Sequence, residues 1–287
     1  MVNRISRVAP FFISLLVAGC VIRVQGNGGG SSGATANATG PVVVNASKTP
    51  VKTCPDLDPK TTVTYTFDTL NEGKLEGQDG WTLVGGNSPM QIKNARGFDG
   101  SKAAVFLSFG QLVRKNDATF AVPKIAGTET TLAIEFDTHY DGMVGGATSE
   151  FMLVSAASMT GALRSTSTSP WIGLKSGQIN YRQAAMGEQI AAPVPSDVQP
   201  GDWIRLRLVM DLTDKSNGKN GSAFVFVKNM TKKDTVFRAV TQLQNLDAHL
   251  ERNVSPPTTW DGMYIRFDEP ADYHTDNLRV SPAANCK

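Results

Sequence analysis

Helical signals are almost absent from these 287 residues, and no Walker loop, zinc-binding spacing or G-x-S-x-G nucleophile elbow occurs along them. Enzyme classes that depend on those devices are set aside. The apolar run Phe11 to Val17 falls short of the roughly 20 residues that a transmembrane helix needs. No internal repeat is found, which excludes solenoids and propellers. Charge of one sign is missing too: 28 basic residues face 26 acidic ones, so there is no basic footprint for nucleic acid. Cysteine and histidine number 3 each, and histidines so sparse and scattered normally lie at the surface.

What is present begins with a targeting signal. Arg4 and Arg7 form a basic n-region, Phe11 to Val17 an apolar core, and Ala18-Gly19 a small-residue cleavage site. Leu16-Val17-Ala18-Gly19-Cys20 resembles the lipobox of bacterial lipoproteins, which implies that Cys20 is acylated and becomes the new N-terminus. Val21 stands where an inner-membrane retention signal would place Asp. The resemblance therefore implies a lipid anchor in the outer membrane of a Gram-negative envelope. Removing residues 1–19 takes away Arg4 and Arg7 and no acid, leaving 26 basic and 26 acidic residues and a net charge of zero.

With Cys20 lipidated, Cys54 and Cys286 are left in an exported, oxidising setting. They read as one disulfide closing the first and last strands together, with two free thiols or an intermolecular link as alternatives. Residues 20–61 form a flexible tether, because 26–40 contain only Gly, Ser, Ala, Thr and Asn and cannot bury enough surface to fold. Residues 62–287 are the folded domain.

The stretch Trp203 to Asn229 is its most legible part. Ile204, Leu206, Leu208, Met210 and Leu212 alternate with Trp203, Arg205, Arg207, Val209 and Asp211, the period of two that gives a strand one buried face. Asn217-Gly218 and Asn220-Gly221 reverse the chain into a second strand through Ala223 to Val227. Further strands are predicted at 62–68, 103–108, 111–114, 118–122, 131–139, 149–155, 171–174, 177–182, 235–241, 262–268 and 275–281. So many strands with no helices between them predict an all-β, two-sheet antiparallel β-sandwich.

Three places resemble the concanavalin A-like, laminin G-like jelly-roll family: the Gly77-Gln78-Asp79-Gly80-Trp81 turn, the hairpin opening Gly201-Asp202-Trp203, and the closing Tyr273 to Val280, YHTDNLRV. That resemblance implies a concanavalin A-like jelly roll over 62–282. The fold hosts lectins, glycosidases and lyases alike, so it names no activity.

Ile134-Glu135-Phe136-Asp137-Thr138-His139 is the catalytic candidate, since alternation puts Glu135, Asp137 and His139 on one face with Ile134 and Phe136 in the core. Retaining glycosidases need two carboxyls roughly 5–5.5 Å apart. The jelly-roll glycoside hydrolases resemble this stretch with E-x-D-x-E or E-x-D-x-x-E, but here His139 and Tyr140 occupy the two places for the third acid, which argues against hydrolysis and for polar residues on a solvent face. Lyases of this fold pair His with Tyr, and His139, Tyr140, Tyr181, His249 and His274 supply the types without a motif. A structural calcium would take oxygen donors in turns, with Asp141 and Asp268 as candidates, although no EF-hand spacing exists. Trp171 and Trp260, in loops after prolines, and Trp203, sharing a face with Arg205 and Arg207, are the candidate ligand platforms. The expectation is a monomeric, lipid-anchored envelope protein binding carbohydrate or an extracellular polymer without a cofactor; a polysaccharide-degrading hydrolase or lyase is the alternative.

Overall fold

The computed structural model describes residues 53–86, 90–106, 109–122, 131–142, 148–154, 170–183, 189–214, 221–248, 260–268 and 274–282. The signal, the lipobox, the Gly-rich tether, the 215–220 turn, His249 and Cys286 lie outside the described residues.

Alternation of apolar and polar side chains, broken by Gly, Asn and Asp, produces strands and no α-helix among the described residues. The first seven are β1 (Thr53–Cys54), β2 (Val63–Tyr65), β3 (Gly73–Lys74), β4 (Trp81–Gly86), β5 (Gln91–Lys93), β6 (Ala103–Val105) and β7 (Gly110–Lys115). The middle set is β8 (Thr131–His139), β9 (Thr148–Val154), β10 (Trp171–Lys175), β11 (Gln178–Arg182) and β12 (Gln189–Pro193). The rest are β13 (Trp203–Asp211), β14 (Ser222–Asn229), β15 (Phe237–Ala239), β16 (Leu246–Asp247), β17 (Gly262–Asp268) and β18 (His274–Ser281).

They make two antiparallel sheets. One has eleven strands, ordered β1-β15-β14-β13-β8-β18-β6-β5-β3 with β16 on β14 and β2 on β18; the other has seven, ordered β12-β11-β10-β9-β17-β7-β4. The inner residues of both sheets share one apolar core, in which Ile134, Phe136, Leu206 and Leu208 meet Phe151, Ile172 and Ile265. The fold is thus a two-sheet antiparallel β-sandwich, a jelly roll. Each fully buried aliphatic or aromatic side chain contributes roughly 1.5–3 kcal/mol to closing it.

The β13–β14 hairpin forms as the alternation requires, with Ile204 opposite Asn229 and Asp211 opposite Ser222. Residues 118–122 do not form a strand. Asp117 Oδ1 accepts from the amides of Thr119 and Phe120 at 2.7 and 3.0 Å, which turns the chain before it can extend. Conversely, β4 begins at Trp81 where only a turn is visible in the sequence. The turn itself is real: Gly77 and Gly80 sit at φ 84° and 76°, and the Gln78 side chain bonds the backbone of Asn71 and Lys74. It drops Trp81 into the core, where its Nε1 donates to Tyr65 Oη at 2.9 Å.

Residues 53–61, which composition places at the end of the tether, lie on the eleven-stranded sheet. Thr53 and Cys54 pair with Arg238 and Phe237. Cys54 is fully buried in a cluster with Ala133, Val209, Phe226 and Phe237.

Candidate functional site

β8 and β13 lie side by side, and their register sets Trp203 opposite His139, Arg205 opposite Asp137 and Arg207 opposite Glu135. The six residues that alternation directs away from the core therefore fall on one surface, the outer face of the eleven-stranded sheet. The catalytic candidates and the Trp203 platform are one place.

Along that face the chemistry changes in three steps. At one end the half-buried Trp203 ring lies 5.8 Å from His139 and 6.2 Å from both Phe98 and His274, centroid to centroid. The two imidazoles stack at 5.3 Å. At the other end is the apolar cluster around Cys54.

Between them sits a network of ion pairs. Arg205 forks Asp137, donating from Nε to Oδ1 at 2.5 Å and from Nη2 to Oδ2 at 2.9 Å. Arg207 donates from Nε to Glu135 Oε1 at 2.5 Å, and its Nη2 lies against the same oxygen. Its Nη1 reaches the Pro55 carbonyl at 2.6 Å and Cys54 Sγ at 2.9 Å, while the guanidinium carbon stands 3.7 Å from the centre of the Phe237 ring. Arg279 closes the network from β18, its Nη1 donating to Asp137 Oδ1 at 3.4 Å.

The sequence expectation of a solvent face is corrected here. Glu135 and Asp137 are 1% and 0% exposed, because arginine stems and the chain from Cys54 to Thr62 cover them. Burial pushes the Glu135 carboxyl up, against the pull of Arg207, Arg205 and Arg279. Burial likewise lowers Arg207. It also opposes the charge on Arg205, but hydrogen bonding to Asp137 prevails and holds that guanidinium raised.

β18 contributes through a bulge that sequence reasoning did not find. The register shifts between Asp276 and Arg279, and Asn277 takes φ 49°, a left-handed conformation that Asn accepts more readily than most residues. The bulge lets Asn277 Nδ2 donate to both Asp137 and Asp276, at 2.9 and 3.1 Å. Asp276 also accepts from Ser101 Oγ at 2.8 Å, and burial pushes its carboxyl up to about 6. The polar letters of the DNLRV signature thus belong to the same network as Glu135 and Asp137. Their alternation with Leu278 and Val280, both buried in the core, was the available signal.

A cavity of about 340 Å³ opens over this network, walled by Glu135, Arg205, Arg279 and the β2 residue Thr64 from the sheet and by Asp56, Leu57 and Pro59 from the covering chain.

The other candidates lie elsewhere. Trp260 is 1% exposed in the core, and its carbonyl accepts from Asn116 Nδ2 at 2.7 Å. Trp171 is 2% exposed on the outer face of the seven-stranded sheet, against Tyr264 at 5.7 Å. Neither is the exposed loop ring expected from its position after proline, since a flat ring of that size lies more favourably against sheet than in water. Tyr140 and Tyr181 are core residues whose hydroxyls burial pushes up. Asp141 is half-buried after β8 and Asp268 ends β17. Among the described residues no three His, Cys, Asp or Glu side chains converge.

No protein-family model matches the chain, and no curated protein does. Among solved structures, a protein of unknown function from Shewanella oneidensis is similar at 11% identity and a TM-score of 0.42, over 79% of this chain and 87% of that one. Lectin II from Ulex europaeus is similar at 8% and 0.39, over 76% and 97%. A xylan β-1,4-xylosidase from Bacillus halodurans is similar at 9% and 0.41, over 79% and 40%. Likenesses this remote bear on neither ligand nor activity, and the sandwich assignment rests on the strand pairing itself.

Proposed function

We propose that this chain is a lipid-anchored envelope protein of the concanavalin A-like type, a monomer whose sandwich binds carbohydrate or another extracellular polymer on the outer face of its eleven-stranded sheet. The observation that carries the reading is the half-buried Trp203 ring, two residues along the same strand face from Arg205, which with Glu135 and Arg279 walls a cavity of about 340 Å³. An aromatic plane beside fixed polar groups is what a sugar ring requires, apolar on one side and hydroxylated at its edge. The reading needs no cofactor.

A polysaccharide-cleaving enzyme is the second reading, and the observation in its favour is the upward shift of Glu135, the direction a general acid needs. Against it, Arg207 holds Glu135 Oε1 and Arg205 forks both oxygens of Asp137, so neither carboxylate faces the cavity uncommitted.

The anchor is proposed at Cys20 and the disulfide between Cys54 and Cys286. Ser281 is the cross-strand partner of Ala133, which packs in the Cys54 cluster, and the five residues from Ser281 to Cys286 reach at most about 17 Å. Cys20→Ser should move the protein from the membrane to the soluble fraction. Affinity electrophoresis in gels cast with a panel of polysaccharides tests the binding itself: the wild type should be retarded by at least one polymer and Trp203→Ala released. Equal retardation of the two proteins would remove Trp203 from the site.

A further inference from the structure

The cavity carries a chemical bias that fixes the class of polymer. Three guanidiniums, Arg205, Arg207 and Arg279, share the two carboxylates of Glu135 and Asp137. Asp56 is paired with Lys228 Nζ at 2.9 Å, and Asp276, bonded by the neutral Ser101 and Asn277, makes no ion pair with the three guanidiniums among the described residues. Within these ion pairs the guanidiniums outnumber the carboxylates by one, and two of the three, Arg205 and Arg279, stand at the cavity wall.

These two also have donors left over. A guanidinium has five N–H groups in a planar fork. Among the described residues Arg279 donates from Nη1 alone, to Asp137 and to the Asn277 carbonyl. Arg205 spends Nε and Nη2 on Asp137. Nε and Nη2 of Arg279 and Nη1 of Arg205 thus remain uncommitted in two side chains that are only 16% and 13% exposed, where water screens their charge poorly. A fork of this shape pairs with planar or tetrahedral oxyanions through two parallel hydrogen bonds. Thr64, the cross-strand neighbour of Arg279, adds a hydroxyl to the cavity wall, and the volume lies at the lower end of the roughly 300–1,000 Å³ of ligand pockets, enough for one sugar unit and its substituent.

We infer that this cavity is an oxyanion subsite, and that the polymer bound on this face is an acidic polysaccharide whose uronate carboxylate or sulfate ester is captured by Arg279 and Arg205. The inference rests on the polymer-binding reading and can fail without it.

The test compares retention of the full-length protein by polygalacturonate, by the same polymer fully methyl-esterified, and by a sulfated galactan beside its desulfated form, at low and at high salt. The wild type should prefer one acidic polymer over its neutral counterpart by about tenfold, the worth of a charge-assisted pair, and the preference should shrink with salt. Preference for polygalacturonate assigns the carboxylate; preference for the sulfated galactan assigns the sulfate. Arg279→Gln should abolish the preference. Because that change also frees part of Asp137, Thr64→Phe provides the second arm: it crowds the cavity from β2, beside Arg279, while every member of the ion pairs is retained, and it too should abolish the preference with the melting temperature close to that of the wild type. Equal retention of acidic and neutral forms, or a preference that survives Thr64→Phe, overturns the subsite and leaves polymer binding standing. No retention by these four polymers overturns the subsite, and no retention by any polymer of the wider panel overturns both.

Discussion

Where Glu135, Asp137 and Arg207 stand, the outer face of β8 and β13 is as buried as the core face and chemically its opposite. Toward the core stand Ile134, Phe136, Leu206 and Leu208, each 0% exposed; away from it stand Glu135, Asp137 and Arg207, at 1%, 0% and 0%. Alternation along a strand decides which way a side chain points, whereas burial on the outer face is decided by what comes to lie over it. Here that cover is chain from residues 53–62 and the stems of the arginines themselves. The core gains from removing apolar surface from water and is limited by how well its cavities close. The outer network bears a desolvation cost of several kcal/mol per ion and is stable only while every charge keeps its partner.

Breaking the network on one side should therefore have the largest effect. Arg207→Met leaves Glu135 buried without its main cation, and a loss of roughly 3–5 kcal/mol is expected in denaturant unfolding, whereas the double change Glu135→Leu, Arg207→Met should recover most of it. Failure of the double variant to recover would mean that the bonds from Arg207 to Pro55 and Cys54, not the ion pair, dominate. On the core face, Ile134→Ala should cost roughly 2–5 kcal/mol with no such rescue available.

The pH dependence sharpens the contrast further. Asp276 carries a folded-state value of about 6, so the folded chain holds its proton more tightly than the unfolded chain does. The stability this contributes is full below about pH 4 and is lost as pH rises through about 6, with a ceiling of about 3 kcal/mol. Asp276→Asn, which mimics the protonated form, should flatten the unfolding free energy between those two pH values; an unchanged slope would assign it to another group. The smallest expected effect on stability is that of Trp203→Ala, within about 1 kcal/mol because the ring is half-exposed, although polymer retention should fall.

Much of the core was legible because a period of two needs no partner to be read. β8, β13 and β17 begin and end within a residue or so of where alternation places them, and Glu135, Asp137, Trp203, Arg205 and Arg207 were singled out from the same pattern. Their mutual contact was not legible. Two runs 64 or more residues apart carry no mark of lying in register, and the pairing of Arg205 with Asp137 is a property of sheet order. The β18 bulge escaped for a related reason, since Asn277 at positive φ reads in the sequence as one more strand residue. Trp171 and Trp260 were misplaced because a preceding proline marks a turn and says nothing of what packs on the ring.

The central claim is that this outer face binds a polymer without cutting it, its carboxylates serving the arginine network. The most direct measurement incubates the protein with each retained polysaccharide and quantifies new reducing ends and unsaturated ends beside retention, for the wild type and for Glu135→Gln. The account predicts retention with no release of either kind of end. Release by the wild type that Glu135→Gln abolishes, in a variant that still folds and is still retained, would contradict it.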